Sequence, residues 1–414
     1  MSLPRLFAGI HADRPLSLSE HGAVHGSALT AGRGLIEEAR LAGLRGRGGA
    51  LFPTAVKLRS VAVQRGSSMV LVNGAEGEPM SAKDRVLLAV APHLVLDGAL
   101  AAADAIDARR VTIALPEDAA AARNAVRRAV DERSIGRRVR LATVPVAHLA
   151  GEETALISYL NGRPLKPTVV PPRPFEHGLR GHPTLVQNPE TLAHLGLIGR
   201  HGAEWFRQVG TDAHPGSALV TVSGAVGCPG VQEIALGAPL TTVISSAGGA
   251  TEELRAVLVG GYHGTWIDAR QVSSVTLDDT GLRWLGGTLG AGIIVALGAS
   301  ACPVQELAGT IGWLASQSAH QCGPCQDGLP ALAALLASIC DGRADRDAFE
   351  RLERWSAQIA GRGACRLPDG AVRFLASGLT VFAEEVERHH ARGPCPACHR
   401  PTTLVTTSTG RRAA

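Results

Sequence analysis

Apolar runs alternate with alanine-rich or amphipathic stretches through the first half of the chain. Stretches 92–108 and 124–131 predict helices, and the first opens on a proline, which is tolerated at the first helical position. Three short apolar runs predict buried strands: 68–73 (SMVLVN), 111–115 (VTIAL) and 139–146 (VRLATVPV). Because strands alternate with helices, we expect a parallel, helix-covered sheet across residues 55–200.

The hydrophobic pattern changes near residue 215 and again after residue 300. Between these points, short apolar runs and a predicted helix at 240–247 indicate a small β-rich module. Four later stretches with apolar residues at helical spacing predict an antiparallel bundle: 302–316, 328–339, 347–359 and 371–388. The chain therefore divides into an N-terminal segment (1–54), an α/β domain (55–208), a β-rich domain (209–300), a helical bundle (301–392) and a tail (393–414) that is expected to be largely disordered.

Composition and charge narrow the class of protein. Hydrophobic residues make up 45% of the 414 residues and charged residues 19%, as in globular proteins. The net charge is +4 without a long basic block, and aromatic residues are only 3%, so nucleic-acid binding is not expected. The N-terminus has no apolar core of signal-peptide length, and no run predicts a membrane span. We therefore expect a cytoplasmic protein without direct membrane insertion.

A glycine-rich loop at 43–57 (GLRGRGGALFPTAVK) is the first candidate for chemistry. It combines three glycines, two cations and one aromatic ring: Gly46, Gly48, Gly49, Arg47, Lys57 and Phe52. Glycines let a backbone approach a flat ring or a phosphate closely and present N–H donors to it. Taken alone, the loop is also compatible with an ordinary basic turn.

Three further loops carry polar side chains beside predicted strands or helices. Asn73, Glu76 and Glu78 follow the first strand, where ligands bind in parallel sheets, although a solvated acidic loop is an alternative. The second loop contains Gly151, Glu152 and Glu153 at the start of a helix, where plain helix capping is an alternative. The third is PTLVQNPETLAHL, with Asn188 and Thr191 before a helix.

In this order, the four loops resemble the NADH-binding flavoprotein subunit of respiratory complex I, the 51 kDa or F-type family, and its relatives in bidirectional hydrogenases and formate dehydrogenases. The segment GEETALI matches the family letter for letter, and the resemblance runs from about Gly43 to His390. It implies an α/β fold with a parallel-sheet FMN-binding domain. It also implies a small ubiquitin-like β-grasp domain of the SLBB type, beginning at SALVTVSGAVGCPGV, and a C-terminal four-helix bundle that binds iron–sulfur.

The resemblance also implies roles for individual residues. FMN would be held by residues from all four loops: Gly46, Arg47, Gly48, Gly49, Lys57, Asn73, Glu76, Gly151, Glu152, Asn188 and Thr191. Phe52 would stack on NADH, and Glu78 and Glu153 would be catalytic carboxylates near the bound nucleotide. The implied reaction is hydride transfer from NADH to FMN. Single electrons would then pass through a 4Fe–4S cluster to a ferredoxin or a thioredoxin-like iron–sulfur subunit in a hetero-oligomer.

Seven of the eight cysteines follow residue 300, which predicts metal or redox chemistry there. Two C-x-x-C pairs, 322–325 and 395–398, have the spacing of ligands to a cluster iron or to zinc. By resemblance, Cys322, Cys325 and Cys365 ligate the cluster, and Ala319 occupies the position of the family's first cysteine.

Several alternatives remain for the fourth ligand of the cluster. His320 is one candidate, and a tail cysteine, Cys395 or Cys398, that folds back is another. A cluster with three protein ligands and the absence of a cluster are the remaining possibilities. The tail pair is also interpretable as half of a zinc knuckle, and its CxxCH spelling as a haem attachment motif, which the lack of an export signal disfavours. The three other cysteines are interpreted as buried free thiols: Cys228, Cys302 and Cys340.

Several departures from the family pattern indicate a diverged paralogue. Leu51 replaces a glycine of the flavin loop, Ala75 an acidic residue and His148 a tyrosine, and Arg173 takes a phenylalanine position. The alternative function is therefore a non-catalytic or electron-conduit paralogue that keeps the fold and the flavin but has lost NADH oxidation. A third hypothesis is a quinone- or cobalamin-type ligand module built on the ubiquitin-like domain.

Overall fold

The structure is a computed structural model that describes residues 3–10, 14–26 and 32–405. The chain forms two compact units, each made from several chain segments. The first unit comprises Met1–Gly77, Ala82–Val220 and Val231–Ala238, and the second comprises Glu78–Ser81, Thr221–Gly230 and Pro239–Ala414.

The first unit is built on a four-stranded parallel sheet. Its strands are β1 (Ser68–Asn73), β2 (Ala108–Pro116), β3 (Val139–Val144) and β4 (Thr184–Gln187). The strand order is β3-β2-β1-β4, and every neighbouring pair is parallel. The parallel sheet predicted across 55–200 is therefore present. Strand β4 was not predicted, because its four residues are too few to show a strand pattern.

Eight helices accompany this sheet among the described residues. They are α1 (Leu18–His25), α2 (Gly34–Ala42), α3 (Thr54–Ala62), α4 (Lys83–Val90), α5 (Pro92–Ala105), α6 (Ala120–Glu132), α7 (Glu153–Leu160) and α8 (Pro189–Arg207). Helices α5 and α8 pack closely because Gly98 has no side chain: an added Cβ there would lie 1.7 Å from the Leu192 carbonyl oxygen. This contact places the start of α8, which follows β4, firmly against the core.

None of the helices that the structure describes is by itself long and apolar enough to cross a membrane. Helices α4 and α5, which meet at a 97° bend, reach the required length and composition only as a pair.

The β-rich region forms a five-stranded mixed sheet with one longer helix. Its elements are β5 (Ser217–Gly224), β6 (Gly230–Ala235), α9 (Leu240–Ser246), β7 (Leu254–Val259), β8 (Thr265–Asp268), α10 (Asp279–Arg283) and β9 (Ile293–Gly298). The strand order is β6-β5-β9-β7-β8. The first and last strands, β5 and β9, pair in parallel at the centre, and β7 is antiparallel to both β8 and β9. This arrangement agrees with the predicted β-grasp.

Helices dominate the chain after residue 300. They are α11 (Pro303–Ser316), α12 (Leu329–Cys340), α13 (Ala348–Ile359), α14 (Leu367–Val381) and α15 (Ala383–Arg392). The single helix predicted at 371–388 is thus divided between α14 and α15. The break lies at Phe382, whose ring is 2% exposed and packs edge-on against Trp266, with ring centroids 5.1 Å apart.

The structure describes the tail, predicted to be largely disordered from 393, up to residue 405, and part of it is buried. Leu404 is fully buried, and its backbone N–H donates to the Glu306 carboxylate over 2.9 Å. The Thr403 N–H donates to the same carboxylate, and the Tyr262 hydroxyl donates to the Leu404 carbonyl. One buried leucine and three hydrogen bonds therefore hold a segment whose composition is typical of disorder. Residues 406–414 lie outside the described part of the chain.

Candidate functional site

The carboxyl ends of β1 and β4 form the position where a ligand is expected. Strand order reverses between them, since β2 and β3 continue on one side of β1 and β4 lies on the other. In open parallel sheets, ligands bind in the crevice at such a switch point. Asn73 ends β1 and Asn188 follows β4. Asn73 Nδ2 donates to the Gly151 carbonyl over 2.9 Å, which joins the loop of Gly151, Glu152 and Glu153 to this edge.

Lys57 and Glu153 form an ion pair at the same edge. The Lys57 ammonium lies 2.8 Å from a Glu153 carboxylate oxygen and donates to the Val186 carbonyl of β4 over 3.0 Å. Both side chains keep about a third of their surface exposed, 33% and 35%. The sheet edge therefore presents one cation and one carboxylate that a ligand in solution can reach.

The glycine-rich loop is attached to the start of α8. The Arg47 N–H donates to Thr191 Oγ1 over 2.8 Å. Gly48 packs on Asn188, because a Cβ built at Gly48 would meet the Asn188 Cβ at 3.4 Å. Gly49 has a φ of 104°, a conformation that strongly favours glycine. The same loop leaves the Phe52 ring 49% exposed, so its aromatic face is available to a planar ligand.

Leu51 adopts a left-handed backbone in the middle of this loop, with a φ of 51°. Leucine is disfavoured there by sterics that glycine escapes. Leu51 therefore replaces the family's glycine at a position whose backbone conformation favours glycine.

Three of the predicted polar residues are helix caps in the structure. Glu76 accepts the backbone N–H groups of Asp84 and Arg85 over 3.0 and 2.9 Å, at the start of α4. Glu152 accepts the N–H of Ala155 over 2.7 Å, so the capping interpretation applies to it. The Asn188 side chain accepts the N–H that follows Pro189, over 3.0 Å. These side chains fix the loops in place, and their contacts with a cofactor remain predictions.

A buried cluster of charges lies beneath the loops and was not identified from the sequence. Lys83 contacts Glu190 over 2.8 Å and Asp84 over 2.9 Å, and all three are buried. Burial raises the pKa of Glu190, but Lys83, followed by His194 and Arg47, lowers it to about 2. The other Glu190 oxygen accepts the Leu219 N–H over 2.8 Å. Lys83 and Asp84 are adjacent in the sequence, but Glu190 lies 107 positions after Lys83, and no local pattern pairs residues so far apart.

Glu78 belongs to the second unit, unlike the other candidate residues of the four loops. Its carboxylate is buried and accepts the Tyr262 N–H over 2.7 Å. Burial raises the pKa of Glu78 to about 7, although the hydrogen bond from Tyr262 opposes this. Within that unit, Glu78 therefore anchors a backbone turn, and its predicted catalytic role remains a prediction.

A separate cavity of about 500 Å³ lies between α7 and a proline-rich loop at 163–183 that contains the run PLKPTVVPPRPF. Thr154, which follows Glu153, is one of its lining residues, but none of the candidate cofactor residues lines it. In the same loop, Arg173 is exposed, whereas Phe175 packs against the core of the first unit. The candidate site is thus the edge at β1 and β4 and not this cavity.

The three cysteines predicted as cluster ligands are neighbours in the second unit. Cys325 is buried in a π-helical turn, Pro324–Gly328. Burial, and after it the adjacent thiols of Cys322 and Cys365, raise the pKa of Cys325 to about 12. Ala319 is buried nearby in sequence, whereas His320 is exposed and has a φ of 49°.

The tail cysteines lie in a different group. Cys395 and Cys398 are gathered with Cys302 and His389, and the four potential ligand atoms all lie within 4.8 Å of one another. This placement gives no support to a tail cysteine as the missing cluster ligand. Cys302 is buried, as interpreted, but it has three potential metal ligands around it. The interpretation as a buried thiol is wrong for Cys228, which is exposed in the turn before β6.

Comparisons with known proteins match two regions of the chain to family models. The family described as "Nuo51 FMN-binding domain" matches residues 39–197, and "NADH-ubiquinone oxidoreductase-F iron-sulfur binding region" matches residues 306–389. The chain is 31% identical to the F 2 subunit of the NADH-quinone oxidoreductase of Rhizobium meliloti (strain 1021), over 87% of this chain and 90% of the relative. It is 30% identical to the F subunit of the NADH-quinone oxidoreductase of Rhodobacter capsulatus, over 92% and 95% respectively.

A solved structure gives the same result for the fold. In the crystal structure of an NAD+-reducing [NiFe]-hydrogenase in the H2-reduced state, one chain superposes with a TM-score of 0.80 at 30% identity. The match covers 88% of this chain but 63% of that one, so the chain spans less than two thirds of the hydrogenase chain.

Proposed function

Because the chain belongs to the family of 51 kDa, F-type NADH-binding flavoprotein subunits, we propose that it transfers hydride from NADH to FMN and then delivers single electrons through an iron–sulfur cluster to a partner protein. Membership of the family establishes the general activity: the chain is an NADH oxidoreductase with FMN and iron–sulfur. The proposed sequence of hydride transfer and electron delivery rests on one observation. The glycine-rich loop and the Lys57–Glu153 pair lie together at the edge of β1 and β4.

The residues at this edge suit a flavin mononucleotide. The glycines of the loop offer backbone without side chains to a ligand. Lys57 offers a partly exposed cation that suits a phosphate or an electron-rich ring. When bound, FMN supplies the chemistry that accepts a hydride, with its two electrons, and releases these electrons one at a time. The residues proposed to hold it are Gly46, Arg47, Gly48, Gly49, Lys57, Asn73, Glu76, Gly151, Glu152, Asn188 and Thr191.

Phe52 and Glu153 are proposed to orient NADH. The half-exposed Phe52 ring provides a stacking face for a planar group of the nucleotide. Glu153 provides a carboxylate oxygen that can accept a hydrogen bond from the carboxamide, and Lys57 holds that carboxylate in place over 2.8 Å. Stacking and one directed hydrogen bond fix the plane and the rotation of the nicotinamide, which hydride transfer requires.

Cys322, Cys325 and Cys365 are proposed as the protein ligands of a 4Fe–4S cluster. Three adjacent thiols, one of them buried in a tight turn, suit a cluster, and Ala319 cannot supply a fourth ligand. A cluster with three protein ligands is therefore proposed. The named relatives are subunits, which supports a hetero-oligomer, and an iron–sulfur protein is the proposed partner.

One observation favours the alternative of a paralogue that keeps the flavin without oxidising NADH. The aromatic position of the proline loop is occupied by the exposed Arg173, and Phe175 packs against the core instead. Fewer aromatic faces near the nucleotide would weaken NADH binding.

Anaerobic titration distinguishes the two functions. The full chain is reconstituted with FMN, iron and sulfide, and NADH is added in steps while the flavin absorbance and the EPR spectrum are recorded. We expect the flavin absorbance to bleach and a reduced-cluster signal to develop. A flavin that dithionite bleaches but NADH does not would favour the paralogue.

A further inference from the structure

A second group of potential metal ligands lies apart from the residues used above. Cys302 Sγ lies 3.3 Å from Cys398 Sγ and 3.5 Å from His389 Nε2, and Cys398 Sγ lies 3.8 Å from Cys395 Sγ. Cys302 and His389 are buried, and the two tail cysteines are half-buried. Three sulfur atoms and one imidazole nitrogen therefore converge from three separate parts of the chain.

These spacings suit a single tetrahedral ion. With zinc bonds of about 2.3 Å to sulfur and about 2.0 Å to nitrogen, tetrahedral corners lie about 3.8 Å apart for two sulfurs and about 3.5 Å for sulfur and nitrogen. Two of the three observed distances equal these values, and the third is shorter by half an ångström. Each cysteine of a four-iron cluster binds a different iron, which separates the ligand sulfurs much further.

The orientation of the histidine points to the same chemistry. His389 Nδ1 lies 3.0 Å from the Cys340 carbonyl oxygen. A carbonyl only accepts, so Nδ1 carries the proton, and Nε2, which faces Cys302, is the ring atom available to a metal. A second hydrogen bond that fixes the tautomer in this way is usual for histidines that bind metals.

Cys302 is oriented by the protein as well. It caps α11, where its sulfur accepts the Gln305 N–H over 3.4 Å. The position of Cys302 is therefore determined by the helix and not by the tail.

We propose that Cys302, His389, Cys395 and Cys398 bind one zinc ion, in a site separate from the iron–sulfur cysteines. Three thiolates and one imidazole in tetrahedral spacing form a ligand set that zinc prefers. The proposal does not depend on the reaction proposed above. Cys340 is assigned a positioning role, because its carbonyl holds His389 and its thiol hydrogen-bonds with Cys302.

The site would be structural, because all four ligand positions are filled by protein. The ion would join the start of α11, the end of α15 and the tail, three segments spread over 96 residues of sequence. The tail then continues to the buried Leu404 and its hydrogen bonds to Glu306. Zinc would thus close the helical region and hold the tail in place.

Metal analysis of the full chain tests this proposal. Wild-type protein and variants are purified with zinc in the medium, and zinc and iron are quantified together by mass spectrometry. We expect about one zinc per chain in the wild type and about a tenfold lower zinc affinity or more in Cys395→Ser and His389→Gln. Iron content should stay unchanged in both variants. Cys228→Ser, which removes an exposed cysteine, is the matched control and should keep its zinc.

The variants also separate this site from the cluster. Cys322→Ser should lose iron and keep zinc, which is the opposite of the pattern in Cys395→Ser. Cys340→Ala should keep zinc, because its carbonyl remains. Loss of iron in Cys395→Ser, or wild-type protein that is folded and reconstituted yet binds no zinc, would overturn the proposal.

Cobalt substitution provides a readout that does not depend on stability. Co²⁺ bound to three thiolates and a histidine should give the intense visible bands of a tetrahedral site, with sulfur-to-cobalt charge transfer that weakens in Cys395→Ser. The weak spectrum of an octahedral ion in the folded wild type would contradict the assigned ligands.

Discussion

Lys83 is a buried cation at the start of α4. It lies between Asp84 and Glu190, and both carboxylates are buried with it. Glu190→Gln would remove one charge and leave Lys83 with a single anionic partner in a dry environment. We expect thermal unfolding to show a loss of about 3 kcal/mol, the lower part of the range for a broken buried pair, because Asp84 remains.

The exposed pair of Glu37 and Arg40 provides the control for this change. Glu37→Gln removes the same charge from a salt bridge in water, so the unfolding midpoint should hardly move. Equal midpoints for Glu190→Gln and Glu37→Gln would show that the buried cluster does not stabilise the first unit.

The Phe52 ring provides a test of whether one aromatic side chain contributes to NADH binding. Phe52→Ala removes the exposed aromatic face beside the glycine-rich loop. A stacking contact is worth about 0.5–1.5 kcal/mol, so the KM for NADH should rise about two- to tenfold. FMN content, measured by flavin absorbance per chain, should stay constant. Val56→Ala, which trims an equally exposed apolar residue on α3, should leave KM unchanged.

Ala319 occupies the turn between α11 and the cysteine pair at 322–325, where the family has a cysteine. It is buried, so a thiol introduced there would point into protein and not into solvent. Ala319→Cys should restore a fourth cysteine ligand and make iron loss to a chelator severalfold slower, because all four cluster irons would then be held by protein. Ala319→Ser, which matches the size without the thiol, should behave like the wild type. Equal iron loss from the cysteine and serine variants would contradict this interpretation.

Helix α1 is joined to α5 through buried histidines that make the first unit sensitive to acid. His21 Nε2 lies 2.7 Å from the buried Asp97 carboxylate. Burial, and then His21, lower the pKa of His25 to about 4, and burial with Arg133 lowers that of His93 to about 4. Both histidines are therefore neutral in the folded state at a pH where the unfolded chain, with a pKa of about 6.5, binds protons.

Stability should consequently fall as the pH decreases from 6.5 to about 4, because the unfolded state takes up protons first. The measurement is the unfolding temperature of the first unit across this range. A double variant, His25→Gln with His93→Gln, should show a flatter profile. His177→Asn, at an exposed histidine, should follow the wild type.

Local patterns predicted the elements better than they predicted the contacts between them. The runs at 68–73 and 139–146 indicated β1 and β3, and the loops after these two strands do meet, through the hydrogen bond from Asn73 to Gly151. The pair of tail cysteines was interpreted as half of a zinc knuckle, but the other two proposed zinc ligands, Cys302 and His389, could not be found in this way, because they are 87 positions apart. The contacts of the tail with Glu306 and Tyr262 could not be predicted, because both residues are distant in the sequence.

At the scale of the whole molecule, the two compact units hold different parts of the proposed reaction. Phe52, Lys57 and Glu153 belong to the first unit, and the cysteines proposed for the cluster belong to the second. Neither unit is one continuous stretch of sequence, since residues 78–81 and 221–230 belong to the second unit and residues 231–238 to the first. Hydride transfer and one-electron delivery should therefore be separable by mutation.

Removing the cluster ligands tests this separation. In a Cys322→Ser/Cys365→Ser double variant, NADH should still bleach the flavin at the wild-type rate, because every residue proposed to hold FMN is in the first unit. Reduction of a one-electron acceptor such as a ferredoxin should fall at least about tenfold, because the cluster that delivers single electrons would be missing. Phe52→Ala should show the reverse at low NADH, with slow bleaching and unchanged iron, and Cys228→Ser should change neither step. Flavin reduction that is lost together with the cluster would mean that the two units act as one catalytic body.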